Sequence, residues 1–307
     1  MRTLKKLKED KLLFFDIETA PVVKELQLDT PLFDSWSYKV NKKGEMTNGE
    51  VITSYSSGAG LYPEFAKIVC IVVGKIVKGK IALITLNHDS EKDLLKEFND
   101  ILDRNITCKL VGFVNNTFDT PFVYKRMIIN GMEPHDKVDV SGLKPWEITD
   151  IDLSMEWKGS SFERASLINV TTALGLPSPK SDISGADVGR VYWEEGRPGL
   201  ERISRYCERD VVTTINLFKK MRLEEPLELM STPEPAKPEV EIPLVTKLFN
   251  GGKYGASEKK ELKGIIDGLS EDERERVFLV LDAMTSTAKG KATKIKKAHV
   301  KALKDGK

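Results

Sequence analysis

The chain has 307 residues, 40% of them hydrophobic and 31% charged, with a formal net charge of +1. That length suits one large domain or two ordinary ones with a normal buried core, and the balanced charge excludes a chain whose overall field would select its partner. No run of about eighteen apolar residues is present, which excludes a helical membrane span. The scattered Cys70, Cys108 and Cys207 give neither a disulfide framework nor a zinc spacing. The apolar run near the N-terminus is interrupted by Asp16 and Glu18, which a signal peptide would not carry. The expectation is a soluble protein of a reducing, intracellular compartment, acting in the cytoplasm and of cellular or viral source, with no membrane partner.

Lys11–Ile17 is a short run rich in Leu and Phe and predicts a buried strand. Residues 30–62 carry Gly, Ser, Asn, Lys and aromatics without a period and predict a long irregular insertion. Lys67–Val77 and Lys80–Leu86, separated by a Lys-Gly turn, predict a hairpin. Ser90, followed by Asp93 and by Leu94, Leu95, Phe98, Ile101 and Leu102, predicts a capped helix. Lys109–Val114 predicts a strand and Thr120–Asn130 a helix that stops at Asn130-Gly131. Residues 131–165 predict mostly irregular chain, Ser166–Leu174 a short helix, and Leu200–Met221 a longer one with Ile203, Val211, Val212, Ile215, Leu217 and Phe218 apolar. Strands first, then strand–helix alternation, predict an α/β domain with a mixed sheet over residues 1–224. Residues 225–243 hold five prolines and predict an extended linker. Residues 244–307 predict a small helical segment, with Ser270 as an N-cap and eight lysines against one acid in Lys289–Lys307.

Three short stretches carry the chemistry. In FFDIET, Asp16 and Glu18 are two apart on a strand and point to one face. Paired carboxylates at a buried strand edge are costly unless a cation neutralises them; the plain alternative is a strand end whose acids face water. In LVGFVNNTFDTPFV, Asp119 falls between a strand and a helix, where capping and the helix dipole alone would favour it. In YCERDVVTT, Tyr206 and Asp210 share one face of a helix at i and i+4, and Asp210 has Arg205 and Arg209 as ordinary pairing partners nearby. Each stretch alone is common. Together they supply several carboxylates from different elements, which is what a two-metal nuclease needs to hold divalent ions about 3.5–4 Å apart. Oxygen donors suit Mg²⁺ or Mn²⁺, and His88, His135 and His299 have no zinc spacing.

The combination resembles the DEDD superfamily of 3′–5′ exonucleases in its tyrosine form. FFDIET matches the first motif, GFVNNTFDTPFV the second as found in proofreading domains of family-B DNA polymerases, and YCERD the third. The stretches KPWEITDIDLSMEW, GLPSPKSDISGADV and RVYWEE look further like a stand-alone group related to that proofreading domain, and the likeness covers roughly residues 10–222. The resemblance implies a ribonuclease-H-like mixed sheet flanked by helices, here followed by a small helical C-terminal extension. It also implies a two-metal 3′–5′ exonuclease acting on a single-stranded or frayed DNA 3′ end in proofreading or repair. Carried over by motif, Asp16, Glu18 and Asp210 would hold one Mg²⁺ or Mn²⁺. Asp16 would bridge to a second, with Asp119 near it directly or through water. Tyr206 would orient the attacking water. Thr19, Asn115 and Phe118 fall where the family meets the terminal nucleotide.

Other features are open. Trp36, Tyr38, Tyr55, Tyr62 and Phe65, with Lys39, Lys42 and Lys43, could stack single-stranded bases or fold back as a surface flap. The lysine-rich tail could bind nucleic-acid backbone or be a solvated end, and the segment before it could dock a replication protein. GGKYG at 251–255 lacks the spacing of a phosphate-binding loop. An RNA 3′-end-trimming enzyme of the ribonuclease D type would share the same acids and tyrosine. An inactive nucleic-acid-binding module would be expected to have lost at least one of them.

Overall fold

The computed structural model describes residues 4–144, 147–177 and 182–230. The expected helical segment over 244–307, its lysine-rich tail and all but the first residues of the proline-rich linker lie outside the described residues.

The first strand, β1 (Leu12–Pro21), is buried on both faces, and so its sequence is a near-continuous apolar run broken only by its acids. It pairs antiparallel with β2 (Ala66–Val77), from Phe14 opposite Gly74 to Pro21 opposite Ala66. β2 turns through Lys78 and Gly79, both at positive φ (49° and 73°), into β3 (Lys80–Leu86). Two such residues give the turn whose twist matches a hairpin. On its other side β1 pairs in parallel with β4 (Lys109–Gly112), which pairs in parallel with the two-residue β5 (Ile151–Asp152). The sheet order is β3-β2-β1-β4-β5, with β2 alone running against the rest. This is the mixed sheet expected, with helices on both faces.

One face packs on α7 (Val188–Met221), through Phe14, Cys70 and Val72 of the sheet and Ile203, Cys207, Val211, Ile215 and Phe218 of the helix. The other packs on α3 (Glu91–Arg104), capped by Ser90, and on α4 (Asp119–Ile129). There Leu13, Phe15, Ile17 and Ile71 meet Leu94, Phe98, Phe122 and Val123. The helix expected from Leu200 starts earlier. It runs from Val188 with a break at Gly196, whose φ of 60° and ψ of −133° are non-helical, and Pro198 follows where no backbone N–H is available to close the turn.

Residues 30–62 are not an irregular loop. They form α1 (Pro31–Val40) and α2 (Asn48–Gly58), with a core of their own made of Leu26, Phe33, Trp36, Val51, Tyr55, Ala59 and Phe65. Gly and Ser depress the helical signal here, but the caps are written in the sequence. Thr30 caps α1 ahead of Pro31, and Thr47 with Glu50 forms a capping box for α2. The Trp36 indole N–H donates to the Val51 carbonyl (3.2 Å) and Ser54 Oγ (3.0 Å), joining the two helices. Residues 131–165 are largely irregular as expected, apart from β5 and the short α5 (Leu153–Lys158); α6 (Leu167–Ala173) then matches the short helix read there. The segment read as a linker from residue 225 begins bound to the sheet. Ile81 N–H donates to Glu228 O (2.9 Å), Met230 N–H donates to Ile81 O (2.7 Å), and Leu227 N–H donates to Asn216 Oδ1 (2.7 Å).

Gly74 lets α7 lie close on β2: a Cβ there would sit 2.7 Å from Val211 Cγ1 and 2.9 Å from Ile215 Cδ1. Gly74→Ala is therefore expected to lower the stability of this domain by about 1–3 kcal/mol through overpacking. Urea unfolding read at the far-ultraviolet helix signal checks this, and an unchanged midpoint would mean that α7 is not seated as described.

Candidate active site

β4 ends at Gly112, and its pairing with β1 runs only from Leu12 to Phe14. Beyond that point β1 stays paired to β2 but has no strand on its other side among the described residues, which leaves Ile17 N–H in need of a partner. Asp119 supplies it: Oδ1 accepts from Ile17 N–H at 3.2 Å. Asp119 is the first residue of α4, nearly fully buried, where the helix dipole favours its charge. Burial pushes its carboxyl up to about 7, while the hydrogen bond from Ile17 N–H pulls it down and the charge of Asp152 adds to the rise.

Asp16 and Glu18 lie two apart on β1, on the face that meets α7. A register shift between Glu18 and Thr19 bulges the pairing with β2 beside them, as is common next to functional sites. α7 brings Tyr206, Cys207 and Asp210 to the same place. The Cys207 thiol donates to Asp16 O (3.5 Å) and to Asp16 Oδ2 (3.3 Å). One ligand atom from each of Asp16, Glu18 and Cys207 lies within 4.8 Å of the other two. Burial, then the charges of Asp119 and Asp210, hold the Asp16 carboxyl well above the usual range. Burial, then the charges of Asp16 and Asp210, do the same to Glu18. Burial lifts Asp210 to about 6, opposed by the Tyr206 hydroxyl and by Arg209. Burial and the three acids Asp210, Glu18 and Asp16 keep the Tyr206 phenol protonated far above neutral pH. A turn at Gly185–Asp187 borders that hydroxyl, close enough that a Cβ on Gly185 would come within 4.0 Å of it.

The structure thus places Asp16, Glu18, Asp119, Tyr206 and Asp210 at one end of the sheet. Glu18 is only 8% exposed. A carboxylate this buried, crowded by the charges of Asp16, Asp210 and Asp119, has the chemistry of a divalent-cation ligand. The all-oxygen set of the four acids fits Mg²⁺ or Mn²⁺.

The three residues expected at the terminal nucleotide are placed differently from one another. The Thr19 hydroxyl donates to Gly60 O at 2.7 Å, tying β1 to the end of α2. Phe118 is half-buried and packs against Phe122, with ring centroids 5.4 Å apart. Asn115 is fully buried, and its Oδ1 has no hydrogen-bond partner among the described residues. A Cβ on Gly112 would fall 2.6 Å from Asn115 Cβ, so Gly112 makes room for it. A side chain this enclosed supports the loop from within, and it reaches a nucleotide only if the loop opens.

Two residues at the site lie inside the matched stretches, but no role is read for them there. Cys207 follows from helix geometry, three residues before Asp210 on the inward face. Asp152 follows from its position just before a helix. It is 3% exposed, and Oδ1 accepts from Val114 N–H (2.9 Å), Ser154 N–H (2.9 Å) and Ser154 Oγ (2.6 Å). Val114 has a φ of 70°, unusual for a β-branched residue. Asp152 therefore pins the strained turn that leads to Asn115 and Asp119.

A family model described as a predicted 3′–5′ exonuclease related to the exonuclease domain of PolB matches residues 61–232. The match contains Asp119, Tyr206 and Asp210 and begins after Asp16 and Glu18. No curated protein matches the chain. Among solved structures, the family B DNA polymerase of the hyperthermophilic archaeon Pyrobaculum calidifontis is similar over 68% of this chain and 24% of that one, at 17% identity and a TM-score of 0.45. This chain thus spans about a quarter of that polymerase's length.

The acids set a pH dependence. Their folded pKa values are raised above the ordinary 3.8, so the folded chain holds protons that an unfolded one releases. The resulting stability is complete below 3.8 and is lost as pH rises through about 6 for Asp210 and about 7 for Asp119. Metal-free protein is expected to lose several degrees of melting temperature between roughly pH 5 and pH 8. Mn²⁺ is expected to restore them at the upper end, and Asp119→Asn, which keeps an oxygen for Ile17 N–H, to shrink the loss. Calorimetry across pH in EDTA and in Mn²⁺ measures this, and a flat profile in both would rule out the crowded-acid picture. Separately, Asp152→Ala is expected to cost about 2 kcal/mol in denaturant unfolding, through the lost cap and the unsatisfied Val114 N–H. Asp152→Asn should retain most of that stability, and equal losses in both variants would dismiss the pinning role.

Proposed function

Because the chain belongs to the family of predicted 3′–5′ exonucleases related to the exonuclease domain of PolB, we propose that it removes nucleotides from a DNA 3′ end, one at a time, as 5′-monophosphates. The observation that carries this reading is the convergence of Asp16, Glu18, Asp119, Asp210 and the protonated Tyr206 from three separate elements. Asp16, Glu18 and Asp210 would hold one Mg²⁺ or Mn²⁺, and Asp16 with Asp119 a second. When bound, such ions supply a water of lowered pKa and positive charge to offset what builds up on the phosphate.

The remaining work falls to the chain. Tyr206 keeps its proton and offers a donor that orients the attacking water, within reach of Asp210. Cys207 steadies the Asp16 side chain from behind. Asp119, anchored on Ile17 N–H at 3.2 Å, cannot drift from the strand. No Ser or Cys nucleophile is needed, so hydrolysis proceeds in one displacement without a covalent enzyme intermediate. Substrate is a single-stranded or frayed end, and the setting is proofreading or repair.

A time course on 5′-labelled single-stranded DNA and matched RNA, in Mg²⁺, Mn²⁺ or EDTA, tests this. The expected result is a metal-dependent ladder on DNA that disappears in Asp16→Ala and Asp210→Ala. Tyr206→Phe is expected to lower kcat by roughly a hundred- to a thousandfold, the usual range for removing one positioned donor. Retained cleavage in either alanine variant would sink the assignment, and a ladder confined to RNA would make the enzyme an RNA 3′-end trimmer.

A further inference from the structure

The helical insertion has an inside and an outside, and the aromatics divide between them. Trp36, Tyr55 and Phe65 form its core, whereas Leu61 is 62% exposed and Tyr62 is 37% exposed. Lys39 reaches over the Tyr62 ring, with Nζ 3.5 Å from the centroid. Their stretch of chain is tied to the acid-bearing strand. Thr19, next to Glu18 on β1, donates its hydroxyl to the carbonyl of Gly60, the residue before Leu61. The chain after Tyr62 stays on the same strand end, where Val22 N–H donates to Phe65 O at 3.0 Å.

We infer that Leu61, Tyr62 and Lys39 form a subsite for single-stranded nucleic acid that seats the bases and backbone 5′ of the nucleotide being removed. The inference rests on the exonuclease reading and deepens it. A single strand presents alternating flat apolar bases and anionic phosphates. A phenol ring and a leucine side chain accept a base by stacking and contact, and the ammonium resting on that ring can turn to a phosphate without leaving the patch. The neighbouring acid Glu64 has its own cation, Lys125, at 3.8 Å, so its charge is offset. A rigid mount is in place as well, because the Thr19–Gly60 bond fixes the subsite against the strand that carries Asp16 and Glu18.

The test is fluorescence anisotropy of the full chain with fluorescein-labelled oligothymidylate and oligouridylate in EDTA, over a range of salt. Tyr62→Ala and Leu61→Ala are expected to weaken binding by roughly tenfold each, as loss of one stacked or contacted base does. Tyr62→Phe is expected to bind like the natural chain. Lys39→Ala should reduce the slope of log affinity on log salt by about 0.7, one single-strand phosphate. Tyr62 also packs edge-on against Trp36 at 5.9 Å, so Leu61→Ala, at a more exposed position, separates lost contact from a loosened insertion. If the natural chain degrades and binds the oligomers while Leu61→Ala and Tyr62→Ala bind them equally well, the subsite is wrong and the exonuclease reading stands. If the natural chain neither binds nor cleaves either oligomer, both fall together.

Discussion

The N–H of Ile17 is left without a strand partner where β4 stops, and the architecture of the acid cluster turns on how that gap is filled. A third strand residue would have closed the sheet and buried β1 between backbones. A carboxylate fills it instead, so Asp119 is drawn onto the strand that already carries Asp16 and Glu18. The hydrogen bond offsets part of the burial cost of one acid, but it does so by placing that acid among others. The crowding is a consequence of sheet topology, and so is the upward shift of the carboxyls that follows from it.

The opposite wall is set by packing. α7 approaches β2 over Gly74, and the close approach brings Cys207 against Asp16 and carries Asp210 and Tyr206 into the cluster. A helix held further off would leave Asp210 in water with an ordinary pKa and Tyr206 without three acids around it. Stability and site geometry are thus coupled: the apolar contacts of Val211 and Ile215, one and five residues past Asp210, fix the angle at which that carboxylate enters.

Local periodicity made part of this legible in the sequence. Asp16 and Glu18 share a face because a strand repeats every two residues, and Tyr206 and Asp210 share one because a helix turns in about four. No such rule connects residue 17 with residue 119, so the bond that organises the site was invisible until the strand order was known. Asp152 was hidden for the same reason: its cap to Ser154 is local, but its hold on Val114 crosses between adjacent parallel strands. The insertion over residues 30–62 reads as irregular because its helices are short and rich in Ser and Gly, which weakens periodicity. Thr30-Pro31 and the Thr47–Glu50 box marked both starts all the same.

The insertion also shows why exposure, and not residue type, divides structural aromatics from available ones. Trp36 has its N–H satisfied by Val51 and Ser54 and its ring enclosed by Tyr55, Tyr62 and Phe65. A ring with both its polar atom and its faces committed has nothing left for a ligand. Tyr62 has one edge committed to Trp36 and one face lent to a lysine, and its polar atom and remaining surface are what the proposed subsite draws on. The insertion therefore needs the buried rings to exist as a folded unit at all, and that unit is what holds the exposed ring two residues past Gly60, the point where Thr19 of β1 ties it down.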